Sequence, residues 1–318
     1  MKNYVVIIAF SILNSCNSTM NSELPDAPVA AKIDTVLTIH DHSRVDPYYW
    51  MRLTDEQKAS DNPDDQTNLV LAYLKAEIEY TEAVLGHTEA LKKKLYDEIT
   101  GRIKQNDESV PYFKNGYWYY TRYKEGAEYP VYCRKYKSLE SQEQIMLDVN
   151  EMAEGLEYYD VSGLEVSPDN KILAYGEDTL SRRIYTIRFK NLETGEWLND
   201  ELVNASAGGA WAKDNSTFFF TTKDRTTLLE NKIWRHKLGR DQKSDVLVYE
   251  EPDNTFNIGV YNSKSNDYII IYNQSTLTSD YHILRADNPD GDFKQFTPRE
   301  TPHEYGIEHF EDKFYILT

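Results

Sequence analysis

Apolar residues in the first third of the chain recur at the spacing of a helix. The repeating positions are Leu71, Leu74, Ile78, Thr81 and Leu85. Steps of three and four residues bring side chains onto one face of an α-helix. Asp64 and Asp65 precede this stretch as candidate N-caps, and Gly86 follows it as a stop signal. The pattern therefore predicts a helix over about residues 66–85.

A second helix is predicted directly after the first. Leu91, Leu95, Ile99 and Ile103 follow one another at four-residue steps, with charged residues between them. This spacing is typical of a solvated helix that carries a single apolar stripe.

Beyond Val110 the pattern changes to short runs of aromatic and β-branched residues, bounded by Gly, Asn, Asp or Pro. Five clear runs lie at residues 117–120, 172–175, 217–220, 268–271 and 314–317. They recur every 45 to 55 residues, and their composition is typical of β-strands. A second strand is predicted after four of them, at residues 129–135, 184–189, 233–236 and 281–285.

A period near 50 residues that holds four short strands is typical of a β-propeller. The alternative, a β-sandwich, has a turn about every 8–12 residues and no such long repeat. Residues 166–171 (VSPDNK) have the composition of a turn between blade strands, because Pro168 fixes φ and Asp169 and Asn170 suit the bend. The sequence therefore predicts a mainly β fold, with four blades and the start of a fifth over residues 106–318.

An open arc of four and a half blades would expose two sheet edges, which favours aggregation. A closed propeller has no such edges, because its last blade packs against its first. We therefore expect further blades to complete this domain.

The N-terminus has the pattern of a bacterial lipoprotein signal. Lys2 precedes an apolar run at residues 4–13, which is too short to span a membrane, and residues 13–16 (LNSC) resemble a lipobox. This predicts a signal peptide at residues 1–15, lipid on Cys16 and a polar tether at residues 16–33. An exported protein held in the periplasm or at the outer membrane is expected. A plain secretory signal that happens to contain a cysteine is the alternative.

The formal net charge of −18 over 318 residues limits which kinds of partner the protein is expected to bind. An acidic surface repels nucleic acid and anionic lipid and weakly attracts basic peptides, although acidity also serves solubility. The sequence therefore predicts no nucleic-acid partner, and membrane contact only through a lipid anchor. Outside the leader, Cys133 is the one cysteine, which excludes an internal disulfide there.

A search for catalytic motifs finds none in these 318 residues. No two glycines bracket a serine as Gly-x-Ser-x-Gly, so the nucleophile elbow of α/β-hydrolases is absent. The glycine-rich nucleotide motifs and the zinc motif H-E-x-x-H are also absent. His40 and His42 could present two imidazoles on one face of a strand, but two ligands make a poor metal site. No catalytic, cofactor-binding or metal residue is predicted.

Several segments in order resemble the prolyl oligopeptidase family, and within it the oligopeptidase B branch. The segments are residues 42–52 (HSRVDPYYWMR), 73–81 (YLKAEIEYT), 98–104 (EITGRIK), 116–122 (GYWYYTR), 129–134 (YPVYCR), 147–151 (LDVNE), 166–169 (VSPD) and 234–236 (WRH). The resemblance covers about residues 34–318.

The resemblance implies a serine endopeptidase in which a seven-bladed propeller caps an α/β-hydrolase domain. Residues 34–105 would be an N-terminal helical segment of the hydrolase domain, and residues 106–318 an incomplete propeller. The Ser-Asp-His triad of the family would lie beyond these residues, so this chain alone is expected to be inactive. Short peptides cut after Arg or Lys, without a cofactor, are the implied substrates, and the hydrolase domain is the implied partner in cis or in trans.

Two alternatives remain open from the sequence. One is a free-standing propeller that serves as a binding or scaffold module, and the other is an enzyme with an unrelated site of its own. Under the peptidase interpretation, the apolar faces of the two helices lack the hydrolase domain, and we expect them to be exposed.

Overall fold

The computed structural model describes residues 24–318. This part of the chain divides into two compact units, the first ending at Ile103 and the second beginning at Lys104. The sequence placed this boundary between residues 105 and 106.

The first unit begins with a two-stranded antiparallel hairpin of β1 (Thr35–Ile39) and β2 (His42–Asp46). His40 and Asp41 form its two-residue turn with φ values of 53° and 61°, as in the type I′ turns that suit the strand twist. Residues 35–46 of the predicted helical segment are therefore extended, because β-branched residues dominate β1. The idea of two imidazoles on one strand face is wrong, since His40 lies in the turn.

Helices make up the rest of the first unit. They are α1 (Asp55–Lys58), α2 (Asp65–Leu85) and α3 (Glu89–Thr100), with 3₁₀ turns at Tyr49–Met51 and Gly86–Thr88. The Asp64 side chain accepts a hydrogen bond from the Thr67 backbone N–H and caps α2 as predicted. Gly86 ends α2 but leads directly into a 3₁₀ turn.

The predicted apolar faces of both helices are exposed. Leu74 and Ile78 on α2, and Leu91, Leu95 and Ile99 on α3, are each about half exposed. Trp50, by contrast, is buried against the start of α2: its Nε1 donates to the Ala31 carbonyl at 2.8 Å. The backbone around Trp50 is thus fixed, while the apolar stripes are uncovered.

The second unit consists of four antiparallel blades of four strands each and a final hairpin; one strand pairing joins blades 2 and 3 into a continuous sheet. Blade 1 contains β3 (Tyr112–Lys114), β4 (Tyr117–Arg122), β5 (Val131–Tyr136) and β6 (Glu143–Asp148). Blade 2 contains β7 (Asp160–Val166), β8 (Ile172–Asp178), β9 (Tyr185–Asn191) and β10 (Trp197–Ala205). The short helix α4 (Val149–Met152) connects the two blades.

Blade 3 contains β11 (Ala210–Trp211), β12 (Thr217–Lys223), β13 (Glu230–Lys237) and β14 (Val246–Glu250), with a 3₁₀ turn at Gln242–Ser244. Blade 4 contains β15 (Asn257–Asn262), β16 (Tyr268–Gln274), β17 (Ser279–Arg285) and β18 (Lys294–Gln295). β19 (Gly306–Phe310) and β20 (Lys313–Leu317) form the final hairpin. The prediction of four blades and the start of a fifth is confirmed.

Backbone hydrogen bonds connect some blades directly. Blades 2 and 3 share one strand pairing, between Ala205 and Thr222. The Lys213 N–H of blade 3 donates to the Ala286 carbonyl after β17 at 2.8 Å. The Ser265 N–H of blade 4 donates to the His309 carbonyl of the last hairpin at 3.0 Å.

The sheets between two neighbours bury both of their faces. On β12, Phe218 and Phe220 pack with Phe189 of blade 2, whereas Phe219 faces the other way, toward Ile269 of blade 4. All three β12 rings are fully buried. A strand alternates its side chains between two faces, so three consecutive aromatic residues are accommodated only because each face has a partner sheet.

The predicted blade turn at residues 166–171 has the expected geometry. The Ser167 N–H donates to the Ile172 carbonyl at 2.8 Å, and Asn170 takes a φ of 64°. The Ser167 hydroxyl donates to the Asp169 carboxylate at 2.6 Å. β8 therefore starts at Ile172, as predicted.

The backbones of two glycines lie close together between blades 2 and 3. Gly163 on β7 has a φ of +64°, and a Cβ placed there would lie 2.0 Å from the Gly208 nitrogen. No side chain fits between these backbones, so the contact requires glycine.

We expect Gly163→Ala to lower the free energy of unfolding by more than about 2 kcal/mol, since both the backbone angle and the clash oppose it. Gly195→Ala is the matched control: Gly195 has a φ of +80°, and nothing lies within 4 Å of its Cβ position. That control should cost only about 1 kcal/mol. Urea unfolding of the full chain measures both, and equal losses would show that the close approach is unimportant.

A buried histidine connects two aspartates at the outer part of blades 2 and 3. His236 is fully buried; its Nδ1 lies 2.7 Å from Asp245 and its Nε2 lies 3.0 Å from Asp200. Burial by itself lowers the pKa of His236, but the hydrogen bonds to Asp245 and Asp200 outweigh burial and raise it. A protonated ring donates to both carboxylates at once.

We expect His236→Gln to destabilise the full chain by about 3–5 kcal/mol, because it leaves two buried carboxylates without their cation. His303→Gln, an exposed control, should change stability by less than about 1 kcal/mol. The pKa of His236 is raised on folding, so its stabilisation is complete below its unfolded pKa and is lost as pH rises through the folded value. The free energy of unfolding, measured from pH 6 to pH 9, should show this decline in the parent protein but not in His236→Gln. Parallel stability curves for the two proteins would contradict it.

Candidate functional site

The predicted lipidation site, Cys16, lies outside the described residues, and the lipid anchor stays a prediction. None of the helices within residues 24–318 is long and apolar enough to cross a membrane. Cys133 is a free, buried thiol in blade 1. Burial raises its pKa to about 12, so it is a packing residue rather than a reactive thiolate.

A side-chain hydrogen bond joins a serine to a histidine at one place in the described chain. Ser265 Oγ lies 2.7 Å from His309 Nδ1. His309 is buried and packs between the rings of Tyr268 and Phe314. Within residues 24–318 no carboxylate hydrogen-bonds to its other ring nitrogen, so the orienting third group of a nucleophilic triad is missing. The pair connects the turn after β15 to β19.

Metal binding has no support in the part of the chain that the structure describes. No group of three or more His, Cys, Asp or Glu side chains there is arranged to hold an ion.

The first strand of each blade forms the inner edge of the second unit. β11 contacts both β7 and β15, so successive first strands lie side by side. The ends of four first strands meet around a small cavity, to which each contributes one polar or aromatic residue. We call this region the inner-strand mouth; its residues are Lys114, Glu165, Trp211 and Asn262.

Hydrogen bonds of Trp211 fix the mouth. The indole Nε1 donates to the Glu165 carbonyl at 3.0 Å. The Trp211 backbone N–H donates to Asn262 Oδ1 at 3.0 Å, and Asn262 Nδ2 donates back to the Trp211 carbonyl at 2.8 Å. Blades 2, 3 and 4 are thus held in register at their inner edge by one side chain from each of blades 3 and 4.

A larger cavity of about 160 Å³ lies between blades 1 and 2. Its polar and aromatic lining includes Tyr112, Tyr119, Tyr132, Asn170 and Glu165, and we call it the tyrosine cavity. The Tyr112 and Tyr119 rings stack with their centroids 5.5 Å apart. Glu165 lines both this cavity and the mouth.

The Glu165 carboxylate is incompletely compensated. Burial raises its pKa, and nearby Lys114 opposes the rise only partly. Lys114 Nζ is 3.9 Å from Glu165 Oε2, which is beyond hydrogen-bond distance. Among the described residues, no donor hydrogen-bonds to this carboxylate. It is therefore a negative group with unused acceptor capacity at the inner edge of the blades.

Sequence reasoning did not single out Glu165, Lys114, Trp211 or Asn262. Each lies at the last or the next-to-last position of a first strand. Their distances to the next strand range from 3 to 7 residues, so no common sequence register marked them, and only blade packing brings them together.

Comparisons with known proteins identify the family. A family model described as "Prolyl oligopeptidase, N-terminal beta-propeller domain" matches residues 28–318. The chain belongs to the prolyl oligopeptidase family.

Relatives in this family carry two kinds of name. The chain is 39% identical to dipeptidyl aminopeptidase BI of Pseudoxanthomonas mexicana, over all of this chain and 45% of that protein. It is 31% identical to protease 2 of Moraxella lacunata, over 92% of this chain and 41% of that protein. The chain thus spans less than half the length of these prolyl oligopeptidase relatives.

Solved structures agree with the family. Oligopeptidase B from Leishmania major superposes with a TM-score of 0.81 at 28% identity, covering 92% of this chain and 42% of that one. Oligopeptidase B from Trypanosoma brucei, solved with covalently bound antipain, gives 0.80 at 28% identity and the same coverage. The predicted resemblance to the oligopeptidase B branch is confirmed.

Proposed function

We propose that this chain forms the propeller part of a serine-type endopeptidase that cuts short peptides after Arg or Lys. The observation that carries the proposal is the match of the chain to oligopeptidase B structures over 92% of its length. The net charge of −18 supports basic substrates, because an acidic surface attracts them. Peptides and the α/β-hydrolase domain, in cis or in trans, would be its partners.

Catalysis in this proposal requires residues outside these 318. The sequence has no Gly-x-Ser-x-Gly elbow, and in the Ser265–His309 pair the imidazole is buried between the Tyr268 and Phe314 rings. We therefore infer that the chain alone is inactive and that its propeller restricts access to the catalytic domain.

A second candidate function comes from the relative at 39% identity, which is named a dipeptidyl aminopeptidase. An enzyme of that kind would release dipeptides from free N-termini. Substrates with free and blocked N-termini separate this activity from endopeptidase cleavage.

We expect the complete protein that contains this chain to hydrolyse blocked fluorogenic peptides with Arg before the cleaved bond. The citrulline analogue has the same shape without the charge, and its kcat/KM should be lower by at least about 100-fold, because a site built for a cation is left unpaired. A serine-directed fluorophosphonate probe should label the complete protein only.

The 318-residue chain is the control for this assay and should neither turn over peptide nor accept the probe. Labelling of that chain would contradict the proposal. Equal rates on arginine and citrulline peptides would remove the basic specificity, and cleavage only of peptides with free N-termini would favour the dipeptidyl activity.

We also propose that the protein is exported and anchored by lipid on Cys16, in the periplasm or at the outer membrane. The apolar run at residues 4–13 and the LNSC sequence at residues 13–16 support this. A hydrophobic leader without lipidation would serve export alone.

Cys16→Ser should move the protein from the detergent phase to the aqueous phase and abolish palmitate labelling, because the thiol that carries the lipid is lost. Cys133→Ser is the matched control and should leave both unchanged. Equal labelling of the parent and Cys16→Ser would contradict lipidation at this residue.

A further inference from the structure

The unpaired carboxylate of Glu165 and the aromatic walls beside it form a site with no assigned role. We propose that the tyrosine cavity binds the basic side chain of a peptide, with Glu165 as its counter-ion. The choice of a peptide as the ligand rests on the proposed function, but the binding test below does not require catalysis. The site belongs wholly to blades 1 and 2 of this chain.

The Glu165 carboxylate lacks a hydrogen-bond donor from the described protein. Its side chain is 35% exposed, so water solvates part of it, while its partial burial still disfavours the charge. Glu165 has no donor among residues 24–318, and its ion pair with Lys114 spans 3.9 Å. A guanidinium or ammonium group in the cavity would supply the missing donors and the opposite charge.

Aromatic rings line the cavity beside Glu165. Tyr112 lies close enough to Glu165 for the carboxylate to contribute to its raised pKa, after burial and Tyr119. Tyrosine ring faces attract cations at distances within about 6 Å. The stacked Tyr112 and Tyr119 rings and the Glu165 carboxylate thus favour the same kind of group: a flat or compact cation on an apolar stem.

The size of the tyrosine cavity and its position beside the inner-strand mouth also suit a single side chain. A volume of about 160 Å³ is below the range of about 300–1,000 Å³ typical of sites for drug-sized ligands. The cavity therefore fits a single side chain rather than a folded segment. Since Glu165 also lines the inner-strand mouth, a peptide held by its basic residue would keep its backbone at the inner edge of the blades.

Lys114 has a specific part in this arrangement. Its side chain is about half exposed, so it can move into solvent when a ligand cation arrives. Before that it competes with the ligand for Glu165. Removing its charge should therefore strengthen ligand binding, which is the opposite of what a loss of structure would do.

The test is equilibrium binding of acetyl-arginine amide to the full chain, followed by NMR or calorimetry, with acetyl-citrulline amide as the uncharged probe. We expect arginine to bind at least about tenfold more tightly than citrulline, as charge-assisted hydrogen bonds require. Glu165→Gln should weaken arginine binding by about tenfold or more, and Lys114→Met should strengthen it.

Glu196→Gln is the matched control, because Glu196 is an exposed carboxylate in the same blade; it should bind as the parent does. Equal binding of arginine and citrulline, unchanged binding by Glu165→Gln, or no binding at millimolar arginine would overturn the proposal. If Glu165→Gln fails to fold, as judged by its melting curve, weaker or unchanged binding by Lys114→Met overturns it. A complete protein without peptidase activity would sink the proposed function but leave this result intact.

Discussion

The packing of blades 2, 3 and 4 on both of their faces is the constraint on which the second unit depends. Strands that bury two faces cannot alternate apolar and polar residues, and β12 with its three consecutive phenylalanines is the clearest case. Because each sheet supplies half of the core for the next, a blade has little apolar interior of its own. The same requirement draws the backbones of Gly163 and Gly208 together, where no side chain fits.

The buried charged side chains lie at the edges of the apolar blade faces. His236 hydrogen-bonds to one oxygen of each of two aspartates at the outer part of blades 2 and 3. Arg299 plays a similar part further along, where it pairs with Glu251 and Asp280 and lies over the Phe256 ring at 3.8 Å. Buried charges of this kind are tolerated because each has its partner. Glu165 differs from them: its side chain is 35% exposed, and its only charge partner in the described chain, Lys114, is 3.9 Å away, so the carboxylate can accept a ligand cation.

The sequence predicted the parts of the fold that local physics determines. The second strands of the blades have six or seven residues with buried aromatic or aliphatic centres, so their composition identified them. The turn at residues 166–171 carried its own signal. The first strands were harder to recognise, because β11 has two residues and β3 has three. The inner-strand mouth was therefore not predicted, because its four residues lie far apart along the chain and become neighbours only through blade packing. The hairpin of β1 and β2 was missed because its turn, His40-Asp41, lacks the glycine that usually marks such turns.

The blades are not joined equally. Backbone hydrogen bonds cross from blade 2 to blade 3, from blade 3 to blade 4, and from blade 4 to the last hairpin. Between blades 1 and 2, over the residues described, the crossing hydrogen bonds all involve side chains, such as Arg134 Nη1 to the Asn170 carbonyl at 2.9 Å. Separation there would break no main-chain bond, whereas separation elsewhere would. Within residues 24–318 this joint is therefore held by side-chain contacts alone, including a shared apolar cluster, and the tyrosine cavity lies in it. A ligand bound in the cavity would contact both blades and so hold them together.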